Sequence, residues 1–105
     1  MGTFVKVATV GDVPQGTGFC VTAGEKKIAL FNVGGTIYAI DDTCTHRGGP
    51  LSEGELAGKE VTCPWHSALF DVTTGAVLGP PAAKDVTSYN VRVAGHDVEV
   101  EIEEA

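Results

Sequence analysis

Apolar and polar residues alternate most regularly near the end of the chain. Tyr89, Val91 and Val93 alternate with Ser88, Asn90 and Arg92. After Ala94-Gly95-His96-Asp97, Val98, Val100 and Ile102 alternate with Glu99, Glu101 and Glu103. A period of two with one apolar face predicts a half-buried antiparallel hairpin. The outward glutamates are expected to discourage edge-to-edge pairing. Strands are also predicted over residues 3–9, 18–22, 27–33 and 36–40, with a turn at 11–16 and Gly34-Gly35 as a two-residue hairpin signal. Further on, residues 59–62 read as a short strand, and 68–72 with 75–78 as a hairpin turning through Thr73-Thr74-Gly75. Residues 50–54 allow at most one helical turn. Cys20, between Phe19 and Val21 in the second strand, is expected to be a buried structural thiol.

Composition agrees with the pattern. Fourteen Gly and five Pro in 105 residues mean many turns, and the segments between them are rich in Val, Ile and Thr. That predicts an all-β fold and one domain over residues 1–105, with no room for a second catalytic domain. The formal charge of −7 makes nucleic acid and anionic membrane poor partners and basic protein surfaces good ones. It divides as −1 over residues 1–43, −2 over 44–81 and −4 over 82–105, so acidity is concentrated in the C-terminal hairpin. No apolar run approaches the roughly 18 residues of a membrane span, and no signal peptide is evident. Three cysteines without a disulfide framework fit a reducing cytoplasm.

The candidate chemistry lies between residues 44 and 66. Cys44-Thr45-His46 is followed, sixteen residues later, by Cys63-Pro64-Trp65-His66. Two thiolates and two imidazoles, paired within short loops, form a four-ligand metal set. Zinc is the competing occupant for such a set. Zinc fingers usually place both Cys in one knuckle and both His in the other, whereas here each half brings one of each. That order suits a two-metal cluster with one iron on sulfur and one on nitrogen.

The two boxes, their separation and the Gly79-Pro80-Pro81 turn resemble the Rieske [2Fe–2S] proteins. The resemblance implies an antiparallel β-sandwich or barrel of small sheets, with a cluster-binding subdomain of two ligand loops at about residues 42–82. It implies one [2Fe–2S] cluster per chain. Cys44 and Cys63 would hold the inner iron, and His46 and His66 the outer iron near solvent. Respiratory Rieske proteins add two cysteines joined in a disulfide; here those positions are Gly49 and Trp65. They also carry Ser and Tyr donors to sulfur where this chain has Ala68 and Phe70. Fewer donors leave the reduced state less stabilised, and the likeness is to the low-potential ferredoxins of bacterial ring-hydroxylating oxygenases.

No nucleophile–base pair, phosphate loop or nucleotide fingerprint occurs, which argues against an enzyme acting alone. The function implied is a monomeric one-electron carrier. It would pass electrons from a flavin reductase to a terminal oxygenase through transient contacts. The alternative is a small iron–sulfur subunit of an oxidoreductase, such as a nitrite reductase small subunit, though those usually lack the ligands present here. A redox sensor would need an effector surface that the residues do not show. Trp65 reads as a partly exposed contact residue, His96 as a solvated turn residue, and Glu53, Glu55 and Glu60 as solvated acids.

Overall fold

Two glycines turn the best-defined hairpin: Gly34 and Gly35 have φ of 61° and 95°, the doubly positive pair a tight two-residue turn requires. The strands they join are β3 (Lys26–Val33) and β4 (Thr36–Asp41), preceded by β1 (Gly2–Thr9) and β2 (Gly18–Ala23). A computed structural model describes residues 2–23, 26–43, 50–65, 68–79 and 84–103. The later strands are β5 (Glu55–Ala57), β6 (Glu60–Thr62), β7 (Leu69–Asp71), β8 (Val77–Gly79), β9 (Ser88–Tyr89), β10 (Val91–Ala94) and β11 (Asp97–Glu103). Single 3-10 turns occupy Val10–Asp12 and Leu51–Glu53, the latter within the segment expected to allow no more.

Among the described residues, all pairing is antiparallel and forms three small sheets: β1-β11-β10, β2-β3-β4-β9 and β5-β6-β7-β8. The middle sheet is covered on both faces, and β3 shows why. Its run Ile28-Ala29-Leu30-Phe31 is wholly buried, and alternate side chains enter different cores. Ile28 and Leu30 join Val13, Val98 and Val100 beneath the first sheet. Ala29 and Phe31 join Leu51, Val61, Cys63, Ala68 and Phe70 beneath the third. Each large side chain buried this way contributes roughly 1.5–3 kcal/mol. The third sheet is thus a subdomain resting on the same strands that support the other two.

Three expectations are corrected and one strand is added. Cys20 is exposed rather than buried, because Gly18, Cys20 and Thr22 lie on the β2 face opposite Val21 and Ala23. The run 88–94 splits at Asn90: β9 pairs with β4 in the middle sheet, and β10 pairs with β11. One period of alternation thus serves two sheets. β11 lies at the centre of its sheet, so its glutamates protect no edge, and Val93 on the edge strand β10 stays 49% exposed. Strand β5 was not foreseen, since Glu-Leu-Ala lacks the β-branched residues that mark strands. It forms because Gly58, at φ 61°, turns the chain back into β6.

Candidate metal centre

The four expected ligands fall in two segments, and the described residues show what brackets each. The first segment covers 44–49. Thr43 bridges to Pro50, the Leu51 amide donates to the Asp42 carbonyl at 2.6 Å, and the Ser52 amide donates to Asp42 Oδ1 at 2.8 Å. The second loop leaves β6 and re-enters at β7. There the Cys63 amide donates to the Ala68 carbonyl at 2.7 Å. Leu51, Cys63 and Ala68 belong to one buried cluster, so the bases of both loops pack on a common core.

Of the four ligands, Cys63 is described: it is 1% exposed, at the end of β6. Cys44, His46 and His66 lie outside the described residues, as do Pro80 and Pro81 of the Pro-rich turn. A thiol in an apolar core fits sulfur ligation of a buried inner metal ion. Ala68 and Phe70 are also fully buried, and neither side chain can donate a hydrogen bond. Trp65, two residues after Cys63, is 59% exposed, in keeping with a contact role. His96 is exposed in the β10–β11 turn, and Glu53, Glu55 and Glu60 are exposed as expected.

The segment after the Pro-rich turn is tied to both neighbouring sheets. The Val77 amide donates to Asp85 Oδ1 at 2.8 Å and the Val86 amide to the Gly75 carbonyl at 2.9 Å, both in the third sheet's hairpin. The Asp41 amide donates to the Thr87 carbonyl at 2.9 Å, and the Tyr89 hydroxyl donates to Asp41 Oδ1. Burial, then the hydrogen bond and charge of Asp41, push the Tyr89 phenol well above its ordinary value. Asp42 and Asp85 are the residues that sequence reasoning missed. The available signal was an acid two residues before a ligand box and another four residues after Pro81.

The two segments that hold the expected ligands are rooted on one core, and the second begins at the buried Cys63 thiol. The chain belongs to the Rieske [2Fe-2S] domain family, which matches residues 3–90. It is 39% identical over 100 residues to the ferredoxin component of the naphthalene 1,2-dioxygenase/salicylate 5-hydroxylase systems of a Ralstonia species, covering 95% of this chain and 96% of that one. Its fold superposes on the ferredoxin of carbazole 1,9a-dioxygenase from Nocardioides aromaticivorans IC177 with TM-score 0.88 and 31% identity, covering 93% of this chain and 96% of that one. It also matches a chain in a complex of reduced oxygenase and oxidised ferredoxin in carbazole 1,9a-dioxygenase, with TM-score 0.86, 36% identity and coverage of 92% and 91%. The cofactor is therefore a [2Fe–2S] cluster, and the chain is an electron-transfer component rather than a catalytic subunit. Among the described residues, no helix is long and apolar enough to cross a membrane.

Proposed function

We propose that this chain carries single electrons from a flavin reductase to the terminal oxygenase of an aromatic ring-hydroxylating system. It would work as a cytoplasmic monomer through transient contacts. The observation that carries the reading is similarity over 95% of this chain to 96% of a protein named as the ferredoxin component of a dioxygenase system.

In this reading, residues 1–105 form one domain whose cluster-binding part is about 42–82. Cys44 and Cys63 ligate one iron through sulfur, and His46 and His66 ligate the other through nitrogen. When bound, the cluster stores one electron at a potential raised by imidazole in place of thiolate. The protein's work is to position and to insulate. The Asp42 and Cys63–Ala68 contacts hold the two loops, and the Phe31, Val61 and Phe70 core keeps water from the sulfur side. The exposed Trp65 ring offers apolar area for close approach of a partner.

Purified protein should contain about two irons and two acid-labile sulfides per chain. Replacing Cys44, His46, Cys63 or His66 with Ala should abolish the cluster. Mixed with a flavin reductase and a ring-hydroxylating oxygenase, the reduced protein should support turnover. One zinc per chain without sulfide would refute the ligand assignment. Stable co-purification with a large catalytic subunit would refute the carrier role.

A further inference from the structure

We infer that Asp41 and Tyr89 are a positioning pair, whose contact locks residues 85–89 onto β4 and so ties the Pro-rich segment to the root of the first ligand segment. The role in the metal centre rests on the ligand assignment proposed above. Asp41 ends β4, three residues before Cys44. Its amide donates to the Thr87 carbonyl at 2.9 Å, its Oδ2 accepts the Thr87 amide at 3.4 Å, and its Oδ1 accepts the Tyr89 hydroxyl. One residue thus holds 87–89 by three bonds, whereas β4 and β9 pair over only Ala39 with Tyr89 and Ile40 with Ser88. At the other end, Asp85 Oδ1 accepts the Val77 amide and the Val86 amide donates to the Gly75 carbonyl. Residues 85–89 are therefore a strap between the third sheet and the middle one. By chain continuity, residues 80–83 run from β8 to this strap, which fixes one of their two ends.

Packing alone does not hold the strap. Of residues 84–88, Val86 is buried in the core and the other four are exposed. Beside them a crevice of about 290 Å³ opens between the β7–β8 turn and the β4–β9 pair, lined in part by Thr36, Tyr38, Thr73, Ser88 and Tyr89. The two sheets do not meet along this crevice, so directed hydrogen bonds to the strap take the place of side-chain contact. A segment held by one buried side chain and a few bonds at the surface can open while both cores stay folded. The Asp41–Tyr89 bond is the side-chain lock on that opening at the end nearer the first ligand segment.

The test follows holoprotein variants by hydrogen exchange with mass spectrometry and by the rate of cluster loss to an iron chelator. Tyr89→Phe removes the hydroxyl and keeps the ring. It should speed both exchange over residues 75–89 and cluster loss by about fivefold, the effect of one ordinary hydrogen bond. Asp41→Ala should do more, because it also frees the Thr87 amide, and adding Tyr89→Phe to it should change nothing further. Arg92→Ala is the control. It breaks the Glu99 pair in the first sheet, and should leave exchange over 75–89 and cluster loss at wild-type rates. Wild-type exchange over 75–89 in Tyr89→Phe overturns the lock. Faster exchange there with wild-type cluster loss overturns its role in the metal centre. Equal acceleration by Arg92→Ala would mean that opening is global, which overturns the strap. Should Tyr89→Phe not fold, Asp41→Ala decides by the same readings. Failure of the ligand assignment looks different: Cys44→Ala would then retain the cluster.

Discussion

The Arg92 guanidinium binds Glu99 Oε1 through Nε at 2.8 Å and a terminal nitrogen at 2.6 Å, with its carbon 4.3 Å from the Phe4 ring centroid. This pairing changes the electrostatic picture drawn from charge counting. Asp97 is matched in the same way by Lys6 at 3.2 Å, and Glu101 accepts the Asn90 amide at 2.8 Å. Much of the C-terminal acidity is therefore met within its own sheet. Glu53, Glu55 and Glu60 are exposed on the cluster-binding subdomain, with no described ion pair or hydrogen bond from their carboxylates.

Long-range attraction of a basic partner should accordingly come from the subdomain that carries the ligands. Reaction with reductase or oxygenase should slow as ionic strength rises. Glu53→Gln, Glu55→Gln and Glu60→Gln together should flatten that dependence. Glu99→Gln with Glu101→Gln should change it less, and stopped-flow rates across a salt series decide between the two faces. A flat response in the second variant and a wild-type slope in the first would restore the assignment to the C-terminal hairpin.

Acid should weaken the β7–β8 turn through Asp71. Burial alone would raise its carboxyl, but the Thr73 hydroxyl at 2.6 Å and amide at 2.8 Å, together with Lys59, outweigh burial and leave it lowered. A lowered folded value means stability that is present above the ordinary aspartate range and lost as pH falls through the folded value. Asp71→Asn should cost about 2 kcal/mol at neutral pH and reduce the acid dependence of unfolding. Urea titrations at neutral and acid pH would show the difference shrinking toward low pH.

Among the described glycines, Gly75 combines a positive φ with a backbone clash. Its φ is +82°, and an added Cβ would lie 2.2 Å from the Val86 carbonyl oxygen, a backbone atom that cannot swing away. Gly75→Ala should therefore cost more than the roughly 1–2 kcal/mol of left-handed strain alone. It should also displace the segment that follows the Pro-rich turn. Gly95→Ala, with φ +64° but open space around it, is the matched control and should cost only the strain. Thermal denaturation should separate the pair by several degrees, at about 4–8 °C per kcal/mol for a domain near this size.

The potential should lie in the lower part of the Rieske range of about −150 to +300 mV. Ala68 and Phe70 are both fully buried in the core that surrounds Cys63, and neither offers a donor to sulfur. Ala68→Ser with Phe70→Tyr should raise the potential by stabilising the added electron. A voltammogram of the double variant that matches wild type would show that these side chains do not reach the cluster sulfurs.

Much of this protein is local in origin and was therefore legible in its residues. Strand periodicity depends on neighbours two apart, so β1, β3, β4 and the β10–β11 hairpin follow from the chain itself. The Gly34-Gly35 turn needs only two residues free to take positive φ. The expected ligand boxes are local too, because each pairs a Cys with a His within three or four positions of the chain. Tertiary structure decided what depends on residues far apart. Which face of β2 meets a core determined that Cys20 is exposed and reaches Asp42, twenty-two positions away. The order of strands put β11 at the centre of its sheet, and so brought Lys6 and Arg92 to its acids. Sheet pairing also made Glu55–Ala57 a strand that its own residues do not favour, because backbone hydrogen bonds to β6 supply what local propensity lacks.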